Sequence, residues 1–196
     1  ASVLTLCSLI VCSLAGYGFE IYHSRSKDRL FGVILLAMMV PFAATMIPLY
    51  QMCSRMGILN STVGFILPTI STPFLIMLFR QNSRSFPHEL IDASRIDGLN
   101  ELQIFLRVYI PTQRSTFAAA MTIIFMNGWN SYLWPKVIML NNDSITMPML
   151  IAGLQSGYVT DFGVLMLAVL FCTLPTVIIF FFLQKQFAQG ILGSVK

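Results

Sequence analysis

Five apolar runs, each near the ~20 residues that a helix needs to cross a bilayer, take up most of a 196-residue chain. They cover roughly residues 2–22, 30–52, 59–79, 112–133 and 162–185. Only 10% of the residues are charged and 56% are hydrophobic, against roughly a quarter charged in an average soluble domain. The mean hydropathy is +0.76. A chain of this kind folds as an all-α integral membrane protein, and five transmembrane helices are the expectation. The formal net charge of +4 is spread over loops without forming a basic face, which argues against nucleic acid.

The positive charges fall unevenly between the runs. Residues 23–29 hold Arg25, Lys27 and Arg29, residues 80–114 hold five arginines, and the tail holds Lys185 and Lys196. The alternate loops hold only Arg55 and Lys136, so the split is ten against two. The positive-inside rule places the richer set in the cytoplasm. The first residue then lies outside and the C-terminus inside. Pro41, Pro48, Pro68, Pro73 and Pro175 fall within the apolar runs. Each removes a helical hydrogen bond, and the freed carbonyls need protein or a wet cavity beside them. A bundle of bent helices is the expectation.

One long polar stretch interrupts the apolar pattern, from Pro87 to Pro111 on the inner side. It carries four of the eight acidic residues, Glu89, Asp92, Asp97 and Glu101, with Arg95 and Arg107. Its local signals predict two short helices around a turn. Pro87 suits a first helical position. Leu90, Ile91 and Ser94 share one face, with Glu89, Asp92 and Arg95 around the other. Gly98 suits the left-handed residue that ends a helix. Asn100 reads as an N-cap whose partner Gln103 completes a capping box. Leu102, Phe105, Leu106 and Tyr109 repeat at helical spacing, and Pro111 closes the segment.

The run Asp92-Ala93-Ser94-Arg95-Ile96-Asp97-Gly98, with Val108, Ile110 and Pro111 downstream, resembles the EAA loop of binding-protein-dependent ABC importer permeases. Ala93, Asp97, Gly98, Pro111 and the Gly-to-Pro spacing match the family pattern. Asp92 stands where Glu is usual and Ser94 where Ala is usual. The resemblance extends over nearly the whole chain. It implies the type I ABC importer permease fold as a single transmembrane permease domain over residues 1–196, with a coupling loop at 87–111. It also implies a first family helix and outer loop upstream of this sequence. Glu89, Asp92, Ala93, Ser94, Arg95, Asp97, Gly98 and Pro111 are the residues it assigns to ATPase coupling.

The fourth run ends in the most polar intramembrane patch, Asn127-Gly128-Trp129-Asn130-Ser131-Tyr132-Leu133-Trp134-Pro135. Asn127, Asn130 and Trp134 recur on one face at i, i+3 and i+7. Amides and aromatics there serve either interfacial anchoring and helix packing or the lining of a path for a neutral sugar. The run is similar to a signature of carbohydrate-type permeases, which makes Asn127, Trp129, Asn130 and Trp134 candidate substrate-path residues. Residues 136–160 form an outer loop, with a turn at 141–144 and a short helix at 147–155 capped by Thr146. In maltose-type permeases the equivalent loop faces the substrate-binding protein. The glycine-bearing end, Gly190 to Lys196, either is disordered or reaches towards an ATPase as in those permeases.

Catalytic signatures are missing from the sequence. His23 and His88 lie far apart, Cys7 and Cys12 lack companion ligands and read as packing residues while Cys53 and Cys172 are isolated, and there is no GxxxxGK[ST] loop for nucleotide. ATP and Mg therefore belong to a separate ATPase, and this chain itself binds no cofactor and is not an enzyme. The implied partners are an ATPase dimer, a second permease (with a heterodimer favoured), an outer substrate-binding protein and membrane lipid. The implied location is the bacterial plasma or inner membrane, and the implied cargo is a sugar or oligosaccharide. Two alternatives stay open. A permease for another solute, such as glycerol phosphate, predicts an anion site. A secondary transporter predicts ionisable residues inside the bundle, where this sequence has almost none.

Overall fold

The computed structural model describes residues 1–141, 145–155 and 161–192. The described secondary structure is helical throughout. Helix α1 (Ser2–Ile21) is the central element, packed against α5 (Pro73–Ser83) on one side and α9 (Arg114–Trp129) on another. The crossing with α5 is tight because position 16 is glycine. A Cβ there would lie 2.5 Å from the Phe79 Cβ and 2.8 Å from the Arg80 nitrogen. Small residues let helices approach in this way when lipid supplies no hydrophobic drive between them. Helix α9 uses the same device, burying Thr116, Ala118, Ala119, Ala120, Thr122 and Gly128. Its second large contact is with α12 (Phe162–Leu192).

Two described helices are long and apolar enough to cross a membrane, Ser2–Ile21 and the Phe162–Phe182 part of α12. The other three expected spans are broken. Helices α2 (Arg25–Ala37) and α3 (Phe42–Arg55) meet at 104°. Pro41 is the reason: it takes extended backbone at the start of α3 and cannot continue α2. Helix α4 (Thr62–Ile66), with the 3₁₀ turn Leu67–Thr69, meets α5 at 51°. Pro68 sits in that turn and Pro73 opens α5. The fourth run yields α9, only 16 residues long, because the helix stops at Asn130 and restarts as α10 (Leu133–Ile138). Pro48 and Pro175, by contrast, are carried inside α3 and α12.

A first apolar core unites α1, α5, α9 and the outer turns through Leu4, Cys12, Phe65, Ile76, Phe79, Ile124, Trp134 and Ile138. Cys12 is buried and free, in the packing role expected of it, while Cys7 is only half-buried; Cys53 and Cys172 are also buried and free. Helix α11 (Met147–Gln155) forms where expected. The Thr146 hydroxyl donates to the Ser131 carbonyl at 3.0 Å, tying the outer loop back to the end of α9. Of the turn at 141–144, Asn142 to Ser144 lie outside the described residues, as do the last residues of the tail, 193–196.

Candidate functional site: a polar helical module and a cavity at the opposite end

The stretch from Pro87 to Pro111 folds as a module with its own core. Helix α6 (His88–Ile96) ends in a Schellman motif. The Leu99 N–H donates to the Ser94 carbonyl and the Gly98 N–H to the Arg95 carbonyl, both at 3.0 Å. Gly98 has φ +80°, the left-handed conformation expected of it. Asn100 then caps α7 (Glu101–Ile104) in a complete capping box with Gln103, at 2.9 and 3.0 Å. Pro87 is one residue earlier than expected: its ψ of 123° makes it the cap of α6 and leaves His88 as the first helical residue.

Beneath α6 lies a second core of Tyr17, Phe86, Ile91, Ile104, Phe105 and Tyr109. Tyr109 is its centre, with the Tyr17, Phe86 and Phe105 rings 4.7–5.4 Å away. Its hydroxyl is bonded to Ser83 at 2.7 Å. Ser94 is buried without penalty because its hydroxyl donates to the Leu90 carbonyl at 2.6 Å. The expected apolar face needs correcting on both helices. Leu90, Leu102 and Leu106 are exposed, and Ile104 is buried in their stead. On the second helix the buried residues Ile104, Phe105 and Tyr109, with Val108 packed against them, form a face rotated from the expected one, and a π turn follows over Phe105–Tyr109. Pro111 does not end the segment either. It sits within α8 (Ile110–Thr112), where the Thr112 hydroxyl donates to the carbonyls of Val108 and Tyr109. The chain bends two residues later, at Gln113.

The charges of the module divide into two groups. Arg95 binds Glu101 at 2.9 Å and Asp92 at 3.5 Å, and Tyr22 at the end of α1 donates its hydroxyl to the other Glu101 oxygen. The hydrogen bond with Glu101 keeps Arg95 charged, and the bonds from Tyr22 and Arg95 pull the Glu101 carboxyl below the ordinary glutamate range. Arg95 is thus a brace within the module. Glu89 and Asp97 have no ionic partner among the described residues and are exposed. With Ala93 and Ile96 they form the outward face of α6, and Ile96 is 87% exposed.

Sequence reasoning did not find the ion cluster beside the module. Arg80 on α5, 6% exposed, binds Glu20 of α1 at 3.0 Å and Asp28 of α2 at 2.6 Å and lies over the Phe31 ring. Arg84 adds a 3.6 Å contact to Glu20. The partners lie 52 and 60 residues apart in sequence, and no local pattern links them.

At the other end of the bundle is a cavity of about 800 Å³. Its walls come from α1 (Leu4, Ser8), the α4–α5 break (Phe65, Thr69, Thr72) and the polar end of α9 with α10. Asn127, Asn130 and Trp134 all line it, as their shared spacing predicts. Trp134 is buried and donates to the Gly64 carbonyl at 3.3 Å, with Phe42 edge-on at 6.2 Å. Its side chain forms part of the cavity wall. Trp129 does not line the cavity: its indole N–H donates to the Cys172 carbonyl at 2.8 Å and holds α9 to α12. Outside the cavity wall, Asn60, at φ +54°, ties the turn before α4 to the segment after α10 by accepting from the Leu140 and Asn141 N–H groups.

Comparison with known proteins agrees with this architecture. The lactose transport system permease protein LacG of Rhizobium radiobacter is 48% identical over 196 residues, covering 100% of this chain and 72% of that protein. The arabinooligosaccharides transport system permease protein AraQ of Bacillus subtilis is 34% identical over 193 residues, 98% of this chain and 69% of that protein. The sn-glycerol-3-phosphate transport system permease protein UgpE of Yersinia pestis is 29% identical over 201 residues, covering 100% of this chain and 70% of that protein. A crystal structure of a bacterial ABC transporter involved in import of the acidic polysaccharide alginate superposes with a TM-score of 0.81. It covers 93% of this chain and 70% of that one, and its 23% identity speaks for the fold alone. Residues 9–193 match the family model of binding-protein-dependent transport system inner membrane components, and the chain belongs to that family.

Proposed function

We propose that this permease forms part of the translocation path for a neutral sugar or oligosaccharide and is driven by a separate cytosolic ATPase docked on α6. The observation that carries the reading is the outward face of α6. Ala93 and Ile96 make a short apolar strip flanked by Glu89, Asp92 and Asp97. A large aliphatic side chain exposed among carboxylates in water calls for a partner cleft with an apolar floor and a basic rim. Asp97 sharpens the point. A negative charge at a helix C-terminus opposes the helix dipole at a cost of about 0.3–1 kcal/mol, and nothing within the described chain offsets it.

Motion at α6 has a short route to the membrane. Glu101 to Trp129 is helical apart from the bend at Gln113, so displacement of the module passes into α9, whose outer end borders the cavity. The ten-to-two division of basic residues puts the module in the cytoplasm, the first residue outside and the C-terminus inside. The chain then crosses the plasma or inner membrane five times, with the two bent pairs and α9 completing three of the crossings. ATP and Mg are used by the ATPase dimer. A second, different permease completes the path, and a substrate-binding protein delivers the cargo to the outer loop. The sugar assignment rests on the lactose and arabinooligosaccharide relatives.

Charge reversal at the unpaired carboxylate tests the reading. Asp97→Arg is expected to lower ATP-driven uptake at least tenfold in reconstituted vesicles while the protein still inserts and ATP hydrolysis continues uncoupled. Co-purification with an ATPase and a second permease is the companion measurement. Normal uptake by the variant, or a chain recovered alone after mild cross-linking, defeats the proposal.

A further inference from the structure

The outer cavity has a chemical character beyond being a path. Among the described residues, no Asp, Glu, Lys, Arg or His side chain lines it. Lys136 stands behind the wall, its ammonium donating at 2.7 Å to the hydroxyl of Tyr132, which does line the cavity. The polar side chains of the wall carry hydroxyls and amides, from Ser8, Thr69, Thr72, Asn127, Asn130, Ser131 and Tyr132, set beside the Trp134 ring and other aromatic side chains. Three of these groups are already engaged: the Tyr132 hydroxyl by Lys136, the Thr69 hydroxyl with the Phe65 and Ile66 carbonyls, and the Asn130 amide with the Met126 carbonyl.

Ser8 is different. It is 1% exposed, it lines the cavity, and its hydroxyl has no hydrogen-bond partner among the described residues. Buried hydroxyls are ordinarily paired. In a membrane helix a serine usually reaches the carbonyl one turn back, as Thr5 does to Ala1 at 3.0 Å on this same helix. Opposite Ser8, the chain is non-helical at the α4–α5 break. Irregular backbone at membrane depth is tolerated where it lines a polar cavity, and broken helices are where transporters place ligand groups.

We propose that this cavity is a ligand subsite built by this chain alone, selective for an uncharged polyhydroxyl compound over its anionic counterpart, with Ser8 supplying a hydroxyl contact. The proposal rests on the sugar-permease reading above and narrows it. Hydroxyls and amides exchange hydrogen bonds with sugar hydroxyls, and aromatic faces pack on the C–H faces of a pyranose. An anion brought into the same walls loses its hydration and gains no cation in return, so the site discriminates by charge as well as by fit.

The test is substrate protection in the assembled transporter. Asn127→Cys is introduced in a Cys7→Ala background, and labelling by a small thiol reagent is read on this chain by mass spectrometry. The probes are lactose, lactitol and lactobionate; the last two differ only in a hydroxymethyl against a carboxylate. Lactose or lactitol is expected to slow labelling at least threefold and lactobionate to leave it unchanged. Adding Ser8→Ala should abolish most of that protection, whereas Leu140→Cys, outside the cavity wall, should show none at the outset. Equal protection by all three probes overturns the charge selectivity, and no protection by any overturns the subsite. ATP-driven lactose uptake by the unsubstituted complex is followed in parallel. Uptake without protection removes the subsite and leaves the permease reading, whereas protection without uptake removes the reading of the chain as a driven permease and leaves the site.

Discussion

The two ends of this molecule are built on opposite principles. The inner module packs five buried side chains around Tyr109 and closes its helix ends with local hydrogen bonds. It then leaves an apolar and acidic face in water. The outer end opens a cavity of about 800 Å³ and surrounds it with broken helices. If α6 docks an ATPase and the cavity holds cargo, as proposed above, the first end needs rigidity behind its surface and the second needs walls that can part. The module is therefore expected to be the stiffer end and the cavity the more compliant one.

The largest test of that contrast is Trp134→Ala. Removing a buried tryptophan costs about 3–5 kcal/mol where the walls cannot collapse. The loss should fall on the outer end, where Trp134 bridges Gly64 and Phe42. Thermal unfolding in detergent should drop, while limited proteolysis of residues 87–111 from the inner side stays unchanged. Ile91→Ala is the reciprocal probe, with an expected cost of about 2–5 kcal/mol. It should open the module to protease and leave labelling of the cavity at its normal rate. If either variant loosened both ends equally, the molecule would be one cooperative unit and the contrast would fail.

The same division governs what could be read from the sequence. In the module, Gly98, Asn100 and Gln103 act through partners within six residues, so their roles were legible as spacing. The helical face beyond them was not, because Leu102 and Ile104 are both apolar and only the tertiary core around Tyr109 selects Ile104 for burial and leaves Leu102 and Leu106 exposed. The apolar runs announced a helical membrane protein, but their bends depend on how each proline is used. Pro41 breaks a helix and Pro48 does not. The shared face of Asn127, Asn130 and Trp134 was legible from periodicity, whereas the Trp129 contact with Cys172 spans 43 residues. The Arg80 cluster and the Asn60 clasp bridge 52 residues or more and left no local trace.

A smaller effect is expected at the turn that joins the two short helices. Gly98→Ala places a Cβ at φ +80°, which costs roughly 1–2 kcal/mol for an L-residue in the left-handed region. There is open space around the position, so the penalty is conformational and not steric. Hydrogen exchange at the Leu99 amide, which closes the Schellman motif onto Ser94, should quicken by about an order of magnitude. Unchanged protection would mean that the core beneath α6, and not the cap, sets the rigidity of the module.

The smallest effect is the one that links the module to α1. Tyr22 donates to Glu101, and desolvation together with that bond pushes the phenol up to about 12. Glu101 moves the other way, below the ordinary glutamate range. A depressed carboxyl contributes stability above its unfolded titration and loses it as pH falls through its own lower one. A raised phenol contributes below its unfolded titration and loses it as pH rises through about 12. The tie is therefore intact across the neutral range and weakens only at the extremes. Because Glu101 is exposed, its removal by Tyr22→Phe should cost under about 1 kcal/mol. The proteolysis rate of residues 87–111 should be flat with pH between those limits and slightly raised in the variant. A wild-type rate that changed near neutral pH would place the controlling charge outside this tie.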